Sequence, residues 1–128
     1  MIELIKSDLW RYHKIINIRV FFVDLILNKG FRFTLYYRIG RALKERKHLF
    51  RFYSIYYKMI CNKYTIDLPL KVDVGYGLYI GHPFGIAVNK NCKIGDNVNI
   101  GQNVTLGKKH SGNKAGAPNI GNNVFIGP

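Results

Sequence analysis

A six-residue period runs through the second half of the chain and constrains its fold more than any other feature. Ile94-Gly95-Asp96-Asn97-Val98-Asn99 is followed by Ile100-Gly101-Gln102-Asn103-Val104-Thr105, and Leu106-Gly107 begins a third copy. Ile120-Gly121-Asn122-Asn123-Val124-Phe125 is a fourth, and Ile126-Gly127 begins a fifth. Val88 and Cys92 occupy the same aliphatic and small-apolar slots upstream. Such a period makes three short strands per coil of roughly 18 residues, with the aliphatic side chain pointing inward and stacking on its equivalent one coil later. Gly and Asn follow because the corners turn tightly and tolerate positive φ. Cys92 is then a small core residue with no redox role.

Two places break the period. Ile80 to Val88 is 8 residues where 6 are expected, so His82-Pro83-Phe84-Gly85 bulges. Leu106 to Ile120 is 14, so 8 extra residues form a polar loop around Lys108, Lys109, His110 and Lys114. Breaks in a regular solenoid are where function is usually placed, because loops vary while coils do not.

The chain changes character near residue 65. Residues 1–64 hold 14 of the 18 aromatics and 2 of the 13 glycines, and they carry a net +10 of the overall +13. This half reads as helices over Ile2 to Ile16, Arg19 to Leu27, Phe31 to Arg46 and His48 to Asn62, with Ser7-Asp8 as a capping signal in the first. Phe31, Leu35, Ile39 and Leu43 form one apolar stripe, and Phe52, Ile55, Tyr56, Met59 and Ile60 another. Tyr36, Tyr37, Arg38, Arg41 and Lys44 fall largely outside the first stripe. The basic helices suit a solvated face, an anionic substrate or peripheral contact with a membrane surface. No nucleic-acid-binding motif accompanies the charge.

The longest apolar stretch, Ile15 to Leu27, is 13 residues and is broken by Asn17, Arg19 and Asp24. That is too short and too charged to span a bilayer. The start Met-Ile-Glu-Leu lacks signal-peptide character, which makes a cytoplasmic location the default. Two cysteines exclude a disulfide-stapled scaffold.

The repeats resemble those of the left-handed β-helix acyltransferases. More narrowly, residues 28–128 resemble serine acetyltransferase and its relatives in surface-polysaccharide gene clusters. The resemblance rests on Lys29-Gly30-Phe31, Tyr37-Arg38-Ile39-Gly40, Gly81-His82-Pro83-Phe84-Gly85-Ile86 and Gln102-Asn103-Val104-Thr105-Leu106-Gly107. It implies an α+β architecture: an N-terminal helical region over 1–64, then a left-handed parallel β-helix over 65–128, incomplete at its C-terminus.

The resemblance also implies a mechanism. The bulge histidine, His82, would be the general base toward an acceptor hydroxyl that attacks the thioester of acetyl-CoA, the co-substrate. Asp67 stands at the upstream offset where the family places the aspartate that orients this histidine. A neutral imidazole can take a proton near pH 7, and a carboxylate on its other nitrogen fixes the tautomer and stabilises the imidazolium. Lys108, Lys109 and Lys114 would attract the phosphates of CoA. Family members assemble as trimers with the active site between subunits, which implies a homotrimer. With only His82 and His110 after residue 65, no three-histidine metal site is expected.

The departures from the family pattern bear on the acceptor. Gly81 stands where serine acetyltransferases have an Asp that helps hold the amino acid. Gly116-Ala117 stand where they have Arg-His. His110 is the remaining loop residue that could assist at the substrate. The favoured expectation is a sugar hydroxyl acceptor in surface polysaccharide biosynthesis. Serine O-acetylation is the alternative. A third reading is an inactive fragment or a trimerising, membrane-associated scaffold, because the chain stops one step into its fifth repeat while family members continue.

Overall fold

Four helices precede nine short strands in the computed structural model, which describes residues 1–128. The helices are α1 (Ile2–His13), α2 (Ile18–Leu27), α3 (Lys29–Ala42) and α4 (Lys47–Tyr64). The strands are β1 (Ile66–Asp67), β2 (Asp73–Val74), β3 (Tyr79–Ile80), β4 (Ile86–Val88), β5 (Lys93–Ile94), β6 (Asn99–Ile100), β7 (Thr105–Leu106), β8 (Asn119–Ile120) and β9 (Phe125–Ile126).

The strands stack in three parallel sheets, β1-β4-β7, β2-β5-β8 and β3-β6-β9, so the chain returns to each face once per coil. The register confirms the period and locates its breaks. Ala87 pairs with Thr105, one regular coil further along the chain. Ile66 pairs with Ile86, slightly more than a regular coil away, because the bulge lies between them. Lys93 pairs with Asn119, well beyond a regular coil, because the polar loop lies between them.

The inward column holds Ile80, Val88, Cys92, Ile94, Val98, Ile100, Val104 and Leu106, all buried. Ile120, Val124 and Ile126 of the last coil are partly buried and pack against that core. The corners carry the left-handed residues that the repeat demands: Asn97, Asn103 and Asn123 at φ 56, 58 and 57°. Asn tolerates this region because its short polar side chain bonds locally. Asn97 Nδ2 donates to Asn123 Oδ1 at 3.2 Å, one coil further.

Helix α3 is wedged between the other helices and the first coil. Its Gly30 lies so close to β3 that a Cβ there would sit 1.8 Å from the Ile80 carbonyl oxygen. Only glycine permits this approach. Phe31, Phe33, Thr34 and Tyr37 are fully enclosed, and Arg38 is 2% exposed.

The helices differ from expectation in informative ways. The first ends at His13, and Ser7 and Asp8 lie inside it without capping it. Asp8 is buried against Arg38, and Ser7 Oγ accepts from Gly77 N at 2.9 Å. Asn28 ends α2 and caps α3, accepting from Phe31 N at 3.1 Å. Tyr37 and Arg38, outside the stripe read from sequence, are buried because α3 has neighbours on nearly every side. In α4 the buried residues are Tyr57, Ile60, Cys61 and Tyr64. Phe52, Ile55, Tyr56 and Met59 face outward, so of that stripe only Ile60 reaches the core. No helix is long and apolar enough to cross a membrane.

Candidate active site

The bulge between β3 and β4 is a rigid turn. Phe84 N donates to His82 O at 3.0 Å, and Gly85, at φ +67°, donates to Thr65 O at 2.9 Å. Asn103 N donates to Phe84 O at 3.1 Å from the next coil. The turn is thus tied to the coil on either side. His82 is held at its head, exposed, with neither ring nitrogen engaged by a protein group. An unengaged imidazole on a fixed backbone is free to bond to a ligand.

His82 opens onto a cavity of about 360 Å³. Pro83, Phe84 and Thr65 form the wall nearest the bulge, and Lys29, Arg32, Lys63 and Tyr64 form the rest. Lys29 is the first residue of α3, while Lys63 and Tyr64 end α4. Arg32 is fixed by three bonds: Nε donates to Tyr64 Oη at 2.7 Å, and Nη1 to Leu25 O at 3.1 Å and Ile26 O at 2.8 Å. No carboxylate lines this cavity.

Asp67 sits on β1 with its side chain outward. Its Oδ1 lies 3.9 Å from Lys58 Nζ, and both side chains are about two-thirds exposed (66% and 67%). It borders a separate cavity of about 320 Å³ beside Lys58 and Cys61. No hydrogen bond joins Asp67 to His82 within the chain. Gly81 is exposed, and a Cβ there would meet only the Tyr79 ring, at 3.3 Å. Lys108, Lys109, His110 and Lys114 are exposed on the inserted loop, which is closed by an antiparallel bridge from Lys109 to Gly116. None of these four lines the His82 cavity. None makes an ion pair.

Arg32 and Lys63 carry no site signal in the sequence. They come from different helices, and nothing local marks them as neighbours of the bulge. Lys29 directly precedes Gly30-Phe31, but nothing in the sequence marks it as a site residue.

No protein-family model matches the chain, and no curated protein matches it significantly. Solved structures do match. A serine acetyltransferase from Neisseria gonorrhoeae, in complex with serine, is 27% identical over 97% of this chain and 51% of its own, with a TM-score of 0.74. Soybean serine acetyltransferase, complexed with serine, is 26% identical over 97% and 51%, with a TM-score of 0.76. The Vibrio cholerae O1 enzyme is 25% identical over 98% and 48%, with a TM-score of 0.71.

The chain carries the serine acetyltransferase fold. Its coils are those of the hexapeptide-repeat, left-handed β-helix, preceded by helices. The chain spans about half the length of these serine acetyltransferases. Within that fold, the bulge that departs from the hexapeptide period presents His82.

Proposed function

We propose that this chain acts as an acetyl-CoA-dependent O-acetyltransferase, with His82 as the general base. The observation that carries the reading is His82 itself: an unengaged imidazole on a rigid bulge, at a ligand-sized cavity, in the fold of serine acetyltransferases. Acetyl-CoA supplies the activated acetyl group, and Lys108, Lys109 and Lys114 would hold its phosphates. His82 accepts the proton from the acceptor hydroxyl as that oxygen attacks the thioester carbonyl; the C–O bond forms, the C–S bond breaks, and the CoA thiolate leaves with the proton returned from the imidazolium. Asp67 would orient the ring only by leaving Lys58 and the separate cavity it borders, and the homotrimer implied by the resemblance would set the loop lysines of one subunit near the bulge of another. A cytoplasmic location belongs to the same reading.

Serine is the acceptor that the solved neighbours support over a sugar, since two of them hold serine. One specific observation favours the sugar hydroxyl as a second reading. The cavity holds cations and no carboxylate to pair the ammonium of an amino acid, and Gly81 brings none. Peripheral membrane contact belongs to the proposal only through α4, whose outward Phe52, Ile55 and Met59 are flanked by Arg51 and Lys58. An acetyl-transfer assay with L-serine and a panel of sugars tests the function. Acetylated product from either class supports it, and acetyl-CoA left intact with every acceptor contradicts it.

A further inference from the structure

We infer that Lys29, Arg32 and Lys63 form an anion-binding subsite beside His82 that takes the negatively charged group of the acceptor, whether a carboxylate or a phosphate. The inference rests on the O-acetyltransferase reading for its link to catalysis, but the binding itself stands on the cavity.

Three observations carry it. First, the three cations come from separate places, the start of α3, its second turn and the end of α4, and converge on one cavity with His82. Second, none of them has a carboxylate partner: the ion pairs of the chain involve Lys6, His13, Arg38, Arg41 and Lys58. Like charges gathered without a counter-charge repel one another, so an anion between them relieves a cost already present in the fold. Third, Arg32 is preorganised. Its Nε and Nη1 are spent on Tyr64 Oη and the carbonyl oxygens of Leu25 and Ile26, which leaves Nη2 with two free N–H donors.

Three cations without a carboxylate favour a dianionic phosphate over the single charge of a carboxylate, and they disfavour a nearby ammonium.

Calorimetric titration of the full chain at low salt with inorganic phosphate, a hexose 1-phosphate and L-serine tests this. Lys29→Gln and Lys63→Gln, both exposed and unpaired, remove charge without disturbing packing, and Lys90→Gln with Lys93→Gln on the β-helix is the control. Each of the first two substitutions is expected to weaken phosphate binding about tenfold, with the order phosphate ester above serine, while the control pair leaves it unchanged. Absent binding, or binding that Lys29→Gln/Lys63→Gln leaves intact, overturns the subsite. Thiol release from acetyl-CoA is followed in parallel. Phosphate binding lost in the double variant, without acetyl transfer to any acceptor, sustains the subsite and overturns the catalytic reading. Phosphate binding intact in that variant, with acetyl transfer undiminished, overturns the subsite and sustains the catalytic reading.

Discussion

Arg38 grips Asp8 at two points, Nε to Oδ2 at 2.8 Å and Nη2 to Oδ1 at 3.0 Å, with both side chains at most 2% exposed. The pair fastens α1 and α3 to the first coil. Arg38 also donates to Val74 O at 2.8 Å and Gly75 O at 2.6 Å, and Asp8 accepts from Leu78 N at 2.8 Å. Burial pushes the Asp8 carboxyl up from its ordinary value, while Arg38 pulls it back. Removing one partner strands the other without water. Arg38→Met is therefore expected to cost about 3–5 kcal/mol. Asp8→Leu/Arg38→Met should cost less than the two single changes added together. Urea unfolding of the four proteins checks this, and strict additivity would contradict it.

Gly30 sets how closely α3 approaches the β-helix. Gly30→Ala places a methyl group into the Ile80 carbonyl, and the helix must move. The expected loss is about 3 kcal/mol, at the upper end for overpacking. Thermal unfolding reads it, and an unchanged midpoint would mean the approach is looser than described.

Cys61 and Cys92 are 4% and 2% exposed, and burial raises both thiols above their ordinary values. A thiol reagent at pH 8 should label neither in the folded protein and both in denaturant. Fast labelling without denaturant would place a thiol at the surface.

Lys58 and Asp67 test whether that ion pair is structural. Both are largely exposed, so Lys58→Ala should leave stability within about 1 kcal/mol of the parent. Asp67→Asn should lower kcat with little change in KM or stability if Asp67 orients His82. Unaltered kcat would remove Asp67 from the mechanism.

The coils could be read because each inward Ile or Val meets its own kind one turn away, so local sequence and tertiary packing agree. The corner asparagines and both breaks in period follow from the same repeat. The helix faces could not be read this way. Arg38 looks like a surface residue until α1 supplies Asp8 and the first coil supplies two carbonyls. The outward Phe52 and Met59 look like core, because period alone does not say which stripe of α4 meets the coil. His82 announced itself by interrupting the period. Arg32 and Lys63 did not, since only the docking of α3 and α4 brings them to it.

In the proposed reaction His82 removes the proton from the acceptor hydroxyl. Thiol release from acetyl-CoA by the parent chain and by His82→Ala, with L-serine and sugars as acceptors, reads that step. Turnover is predicted to fall by about 10²–10⁴-fold in the variant, with folding preserved. Equal turnover in the two proteins would contradict it.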